Sequence, residues 1–312
     1  MKKFIKEILS VCVVVLVLLY TMQFIIDIRA SRCYTQYPYR SFNYIYNQQL
    51  DADVVIFGNS RAECSYNTNI LDSMLDCSCY NLGLAGYSFD YIYNLQILPY
   101  LEKNIQPKLI ILDIGPQAFL KHYNDHFQKE FLPFLQYSYF NFYIDICEEI
   151  DLWDRYFPTK YYGFDYKELF QLMQEMTIDT NYLHYKDCFR AFECGQYRIN
   201  FPYTKYELEN EDAIVDDLES FIELCTNKNI PLLFVCSPMH RTDFYDKCDM
   251  RKFWNIMDSI APSIPKLDNA LMFDSDTVYF AESTHMNIYG AKLFTIKLAH
   301  YIDSIGWLNK ID

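Results

Sequence analysis

The sequence predicts an α/β protein built on a parallel β-sheet, preceded by one membrane-spanning helix. From residue 53 onward, short apolar runs alternate with segments of helical periodicity, which is typical of strand–helix units joined by right-handed crossovers. Near the N-terminus, one uncharged stretch is long enough to cross a bilayer. The length of 312 residues and the apolar content of 51% fit one large domain with insertions and exclude a disordered chain.

The candidate anchor covers residues 8–26, which include no charged side chain. As a helix it would span roughly 28 Å, close to the thickness of the hydrocarbon core. A cleaved signal peptide has a shorter apolar core of about 7–15 residues, so an uncleaved anchor is favoured. No other stretch is long and apolar enough, which predicts a single-pass protein. Residues 27–52 are polar and rich in tyrosine, and we interpret them as a tether.

The strand and helix predictions follow in chain order after the tether. The predicted strands are 54–57, 78–82, 108–114, 231–236 and 270–273, and the predicted helices are 89–101, 212–227, 251–260 and 287–305. Strand 108–114 is apolar almost throughout, as expected for a parallel strand covered on both faces. Residues 118–207 interrupt this alternation with dense aromatics, scattered prolines and a helical fragment at 166–176. We interpret them as an insertion over the carboxyl ends of the strands, where such folds bind ligands.

Composition narrows the function classes. The net charge of -14 argues against nucleic acid as a partner, because nucleic acid requires a basic face. We interpret the 29 Tyr and 24 Phe as core and interface material, with stacking platforms for sugar rings as the alternative. Two close cysteine pairs, Cys77 with Cys79 and Cys188 with Cys194, lack the second pair at a spacing that a zinc site needs. We therefore predict no metal and no cofactor, while disulfides stay possible outside the cytoplasm.

Two short motifs near opposite ends of the domain carry the candidate chemistry. Ser60 follows an apolar strand and a glycine turn, and Glu282 stands three residues before His285 at the start of the last predicted helix. Together they supply the nucleophile, base and acid that a serine esterase or acyltransferase needs. Each also has a structural alternative, since serine commonly caps a helix, His285 can cap the last helix, and Glu282 can be an ordinary acid of a first helical turn. Asp274 or Asp276 is an alternative acid.

These motifs resemble the SGNH (GDSL-like) hydrolases from about residue 53 to residue 305, with 118–207 unmatched. Residues 57–60 (FGNS) resemble the first block, which holds the nucleophile, and residues 81–86 (NLGLAG) resemble the second. Residues 282–285 (ESTH) resemble the fifth block, and Asn287 with Gly290 and Ala291 fits its usual continuation. The resemblance implies a flavodoxin-like, three-layer α/β/α fold over residues 53–312.

The resemblance also implies an oxyanion hole and shows two departures from the family pattern. It assigns the backbone amides of Ser60 and Gly86 as oxyanion donors. Gln117 stands where the third block has an asparagine, which weakens that donor or leaves it to be supplied elsewhere. Glu282 replaces the family's aspartate and is one methylene longer, so that it holds His285 less tightly or leaves a Ser–His dyad.

Three further residues are predicted to contact substrate. Arg61 can clamp a carboxylate or a sugar hydroxyl, with a solvated arginine as the alternative. Asn59 lies beside the nucleophile. His240 follows the fourth strand on the same rim, and we predict it as a pocket-wall residue.

The anchor and the missing asparagine make the chain resemble the membrane-tethered branch of the family, which includes DltD-like proteins and relatives that acetylate exopolysaccharides. That implies acyl transfer to or from cell-envelope glycans. The lysines before the span nearly balance the arginines after it under the positive-inside rule. On the resemblance, we expect residues 1–7 in the cytoplasm and the domain outside.

Two alternatives remain open. One is a catalytically weak scaffold that binds glycan or a membrane acyltransferase partner. The other is an esterase for lipids or small esters. Exposed apolar residues around the pocket would favour lipid, whereas exposed Tyr and Trp faces would favour sugar.

Overall fold

The computed structural model describes residues 2–32, 39–47, 50–119, 129–147 and 211–307, together with Phe189 and Leu208 singly. The predicted helical fragment at 166–176 and the pair of Cys188 and Cys194 lie outside these residues. The chain forms two compact units. One comprises Met1–Asn43 with Asp125–His184, and the other comprises Tyr44–Asn124 with Tyr185–Asp312.

The described residues contain the following regular elements. The strands are β1 (Val54–Gly58), β2 (Cys79–Asn81), β3 (Leu109–Asp113), β4 (Leu232–Cys236) and β5 (Lys266–Asp268). The helices are α1 (Lys2–Ala30), α2 (Tyr39–Tyr46), α3 (Ser60–Ser65), α4 (Thr68–Leu75), α5 (Phe89–Ile92), α6 (Leu98–Lys103), α7 (Asn141–Ile146), α8 (Glu211–Asn227), α9 (Met250–Ile260) and α10 (Ile288–Ile305). A π-helical turn, Tyr93–Ile97, joins α5 to α6.

The sheet lies in the second unit and confirms the predicted fold class. Its five strands are all parallel and follow the order β2-β1-β3-β4-β5. That order is the flavodoxin-like order of doubly wound α/β proteins. Strands β1, β3 and β4 are buried along their whole length, as expected for parallel strands covered on both faces. Four of the five strand predictions and all four helix predictions outside 118–207 match within two residues.

The prediction of the fifth strand was wrong. Residues 270–273 form a turn, and the strand is Lys266–Asp268, paired with β4 at the edge of the sheet. An edge strand packs on one side only, so β5 alternates polar and apolar residues and gives no apolar run. The apolar run after it packs against the core from the turn, with Ala270 buried and Met272 and Phe273 against the core cluster.

The N-terminal unit begins with a helix longer than the predicted span. Within the described residues, Lys3–Ala30 is the one helix long and apolar enough to cross a membrane, by length and composition. It continues through the predicted span into residues 27–30, which had been assigned to the tether. Asn43 of α2 donates to the carbonyl of Ala30, 2.5 Å away, and thereby ties the two helices together.

The predicted tether also contains helix α2, which was not expected. Tyr39, Phe42 and Tyr46 are buried at helical spacing, a pattern that is weak in the sequence because tyrosine occurs both in cores and on surfaces. Phe42 lies 5.5 Å from the ring of Phe131 and 5.6 Å from that of Phe140, measured between centroids. The aromatics described in this unit therefore pack as core, which favours the first of the two interpretations of the tyrosine and phenylalanine content.

One glycine at the end of β1 is required for the strand to turn into α3. Gly58 has a φ of 150°, and a Cβ there would lie 2.7 Å from Ala62 Cβ and 2.8 Å from the Asp113 carbonyl oxygen. We predict that Gly58→Ala lowers the free energy of unfolding by about 3 kcal/mol, because it combines backbone strain with overpacking. Chemical denaturation of the full chain in detergent measures the change.

Gly306→Ala is the matched control for that substitution. Gly306 also has a positive φ, 63°, but nothing lies within 4 Å of the position its Cβ would take. Its loss should therefore cost only the strain, about 1 kcal/mol. Equal costs for the two variants would contradict the close approach at Gly58.

Candidate active site

Ser60 lies at the first position of α3, directly after the turn that ends β1. The side chain of the preceding Asn59 accepts a hydrogen bond from the Arg61 amide at 3.0 Å and caps the helix. The helix-cap interpretation of Ser60 is therefore wrong, because Asn59 has that role. The Ser60 hydroxyl instead meets the ring of His285, with Oγ 2.7 Å from Nε2. These residues are 225 positions apart in the chain.

His285 lies in a short closed loop that places it beside Glu282. The Ala281 amide donates to the carbonyl of His285 at 2.9 Å, and an antiparallel bridge joins Phe280 to Met286. Within this loop, Oε1 of Glu282 contacts Nδ1 of His285. The Thr284 hydroxyl donates to the same carboxylate oxygen at 2.7 Å. The extra methylene of glutamate therefore does not prevent contact with the imidazole.

The helix-cap interpretation of His285 and the two alternative acids, Asp274 and Asp276, do not fit the structure. Asn287 caps α10, with its side chain accepting from the amides of Tyr289 and Gly290 at 3.0 and 3.1 Å, so His285 is not the cap. Asp274 forms an exposed pair with Arg241. Asp276 accepts from the Val278 amide at 3.1 Å. Of these three acids, Glu282 is the one in contact with the histidine.

The contacts of Glu282, His285 and Ser60 determine which group donates and which accepts in each hydrogen bond. An ionised carboxylate only accepts hydrogen bonds, so the proton of the neutral ring belongs on Nδ1, which faces Glu282. Nε2 is then an acceptor, and the Ser60 hydroxyl is its donor. This arrangement can take a proton from Ser60 and leave an imidazolium beside a negative charge.

Asn81 is a positioning residue for which sequence reasoning had assigned no role. Its side-chain amide donates to the carbonyls of Ala62 and Tyr66, at 2.7 and 3.1 Å, and its oxygen accepts from the Gly83 amide at 2.9 Å. It thereby ties the end of β2 to α3, the helix that begins with Ser60. An asparagine at the end of a strand, followed two residues later by glycine, was the available signal.

Two of the predicted oxyanion donors, Gly86 and Gln117, lie in the segments that follow β2 and β3. The Leu84 amide donates to the Gly58 carbonyl at 2.8 Å, which keeps the loop after β2 beside the turn between β1 and α3. Gly86, two residues further along, is exposed and has a φ of 85°. Gln117 lies in a 3₁₀ turn after β3, Pro116–Phe119. The roles of Ser60, Gly86 and Gln117 as oxyanion donors stay predictions.

Arg61 does not reach toward substrate or solvent, which corrects both interpretations of it. Only 2% of the residue is exposed. The guanidinium contacts the Ser237 carbonyl, donates to the Ser237 hydroxyl at 2.9 Å, and donates to the Gln117 side-chain oxygen at 3.0 Å. Burial opposes the charge, yet the nearby Asp113 carboxylate raises the pKa of Arg61 above its ordinary value. The guanidinium is thus a buried cation at the carboxyl ends of the central strands.

His240 is likewise bonded inside the protein, and its place on the wall of a substrate pocket stays a prediction. The residue is buried, with Nε2 3.1 Å from the Ser275 carbonyl oxygen and Nδ1 3.3 Å from the Asp243 carboxylate. Its backbone amide donates to the carbonyl of Ser283 at 3.0 Å. His240 therefore braces the loop that carries Glu282 and His285. Oδ1 of Asn59, the third predicted contact, is committed to capping α3.

The cysteines that the structure describes are free thiols. Cys236 is a buried thiol whose pKa is raised to about 12 by burial. Cys77 and Cys79 are free thiols with their sulfurs 3.5 Å apart. Within the described ranges, no three His, Cys, Asp or Glu side chains converge on a point where a metal ion could be held.

Among known proteins, the chain is similar to solved structures. No protein-family model matches the chain, and no curated protein matches it. Three solved structures are similar to it over most of their length. They are a proposed acylhydrolase from Bacteroides fragilis (12% identity, 81% of this chain and 86% of that chain, TM-score 0.39), an acetyl xylan esterase (13%, 80% and 99%, 0.43) and a GDSL-like lipase from Bacteroides thetaiotaomicron (12%, 85% and 98%, 0.42). At these identities the likeness concerns the fold alone.

The contact between Glu282 and His285 predicts the tautomer of the histidine. In protein labelled with ¹⁵N-histidine, the neutral His285 ring should carry its proton on Nδ1. Glu282→Gln should weaken that preference, because an amide can donate as well as accept. The signals of His300, which is exposed on α10, should not change between the two proteins. An Nε2-protonated His285 in the wild type would contradict the assignment.

Proposed function

We propose that this chain is a membrane-anchored serine esterase or acyltransferase that acts on acyl esters, most simply acetyl esters, of cell-envelope glycans. The observation that carries the proposal is the 2.7 Å contact between Ser60 Oγ and His285 Nε2, with Glu282 on the opposite nitrogen of the same ring. A serine hydroxyl is a poor nucleophile until a positioned base takes its proton. This arrangement supplies that base and a carboxylate to orient it.

The chemistry follows from these contacts. Ser60 Oγ attacks the ester carbonyl while its proton passes to His285 Nε2, and the carbonyl oxygen becomes an oxyanion. The backbone amides of Ser60 and Gly86 and the side chain of Gln117 are the proposed donors to that oxyanion. The bond to the leaving alcohol then breaks, and the imidazolium returns the proton to it. Water or a sugar hydroxyl completes the cycle by attacking the acyl-enzyme.

The anchor and the resemblance to the membrane-tethered branch support an envelope substrate. Helix α1 is long and apolar enough to hold the chain at a membrane. A membrane acyltransferase partner would suit the transfer version of the reaction, in which the acyl group comes from another protein. The strong negative charge of the chain disfavours an anionic polymer as substrate.

One observation favours a second candidate, an esterase for lipids or apolar esters. Val278, Ile288, Tyr289 and Leu293 are exposed, Val278 to 63% and Tyr289 to 58%. They lie on either side of the Asn287 cap, whose side chain donates to the Val278 carbonyl at 2.7 Å, and close in sequence to His285. Preference for a p-nitrophenyl octanoate over the acetate would support this candidate. Preference for the acetate would count against an apolar acyl chain as the substrate.

A fluorophosphonate probe tests whether Ser60 is a nucleophile. The full chain in detergent should be labelled once, at Ser60, as shown by mass spectrometry of its peptides. Labelling should vanish in Ser60→Ala. It should fall by roughly 10²-fold or more in His285→Ala, because positioned base catalysis is worth about 10²–10⁴.

Ser65→Ala is the matched control, since Ser65 lies at the other end of the same short helix and is buried. Its labelling should equal that of the wild type. If folded wild-type protein stays unlabelled, the catalytically weak scaffold that binds glycan or a partner becomes the better account.

The location of the domain can be tested separately. The protein should stay in the membrane fraction through carbonate washing, because α1 is apolar over most of its length. Protease added to intact spheroplasts should digest the domain and leave a small anchored fragment. A domain protected until lysis would place it in the cytoplasm and rule out an envelope glycan, while leaving the chemistry of Ser60 untouched.

A further inference from the structure

Arg61 stands out because a buried cation follows the candidate nucleophile directly. Burying an unpaired charge is costly, and buried charges are usually held by several hydrogen bonds. Here the bonds go to Ser237 and Gln117, and Ser237 in turn donates its hydroxyl to Asp113 at 2.7 Å and its amide to the same carboxylate at 3.2 Å. The guanidinium therefore joins the ends of β1, β3 and β4 beneath the site.

The contact with Arg61 fixes which way round the Gln117 amide lies. A guanidinium has only donors, so the atom that faces it at 3.0 Å must be the amide oxygen. The nitrogen Nε2 is then at the other end of the amide. It is buried, and within the described part of the chain it has no hydrogen-bond partner. A buried donor without an acceptor costs about 1–3 kcal/mol, which calls for an explanation.

The backbone is shaped around this contact. Gly115 lies where the guanidinium meets the amide, and a Cβ there would overlap Nη1 of Arg61 and lie 2.9 Å from Oε1 of Gln117. Glutamine also has one more rotatable bond than asparagine, so its amide loses more conformational freedom when it is held in one place. A partner that anchors the oxygen end therefore matters more for glutamine.

We propose that Arg61 is a positioning residue that holds the Gln117 amide with Nε2 available to the oxyanion formed when Ser60 attacks an ester. The inference rests on the proposed function and adds to it the device by which glutamine serves where asparagine is expected. The negative oxygen would give Nε2 the acceptor that it lacks, in a stronger bond than a neutral carbonyl oxygen makes. Such a donor lowers the barrier more than it strengthens the binding of substrate.

A double-mutant cycle on kcat with p-nitrophenyl acetate tests the proposal. Gln117→Met keeps the length of the side chain but removes both the Nε2 donor and the oxygen that Arg61 holds, and it should lower kcat by about 10²–10³ with little change in KM. Arg61→Lys keeps the charge but loses the fork, and it should lower kcat by about 10-fold or more. In the Gln117→Met background, Arg61→Lys should change kcat by less than about 3-fold, because the group it positions is gone.

Two controls separate positioning from stability. Unfolding midpoints should show that every variant stays folded at the assay temperature. Arg241→Lys changes an exposed arginine outside the network and should leave kcat unchanged. An equal loss of kcat from Arg61→Lys in both backgrounds would overturn the proposal, as would a Gln117→Met variant with wild-type kcat.

A structure of the wild type with a phosphonate on Ser60 tests the same inference without any variant that has to fold. The phosphonyl oxygen should lie about 3 Å from Gln117 Nε2. An oxygen held by other donors, with Nε2 turned away from it, would overturn the role of Arg61 and leave the proposed function standing. Wild-type protein that neither hydrolyses the ester nor forms the adduct would overturn the proposed function and this inference with it.

Discussion

The hydrogen bond between Ser60 and His285 depends on the parallel sheet. The carboxyl ends of parallel strands meet at one edge, so the turn after β1 and the loop before α10 come together although they are 225 positions apart. Neither motif has a role in acyl chemistry alone, because the hydroxyl needs the base and the base needs the carboxylate. The site therefore depends most on the order of the strands and on two segments, the turn after β1 and the loop before α10.

Close backbone contacts and buried polar side chains hold the segments at the carboxyl ends of the strands in place. Gly58 lets β1 pass within contact distance of α3 and β3, and Asn81 holds α3 against the loop after β2. Beneath them, Arg61 links Ser237 and Gln117. A buried polar network of this kind adds little net stability, but it disfavours alternative arrangements of the same strand ends. We infer that its value lies in fixing positions.

Much of the fold and the central pair of the site were predictable from the sequence. Buried strands and amphipathic helices give strong periodic signals, whereas the edge strand β5 and the tyrosine-rich helix α2 do not. The contacts of Ser60, His285 and Glu282 were predictable because Ser60 directly follows a buried strand and the other two stand shortly before the last helix. The direction of Arg61 was not, since an arginine on a first helical turn can point outward or inward. Only the packing of β3 and β4 decides between them. The direction of the His240 side chain was not predictable for the same reason.

The central claim is that the Ser60 hydroxyl is activated by an imidazole that Glu282 holds and stabilises. The most direct measurement is the second-order rate constant for the reaction of a fluorophosphonate with Ser60, compared between the wild type and Glu282→Gln. The account predicts a fall of roughly 10²–10⁴, by analogy with the contribution of a triad acid. An unchanged rate constant, in a variant whose unfolding midpoint matches that of the wild type, would contradict it.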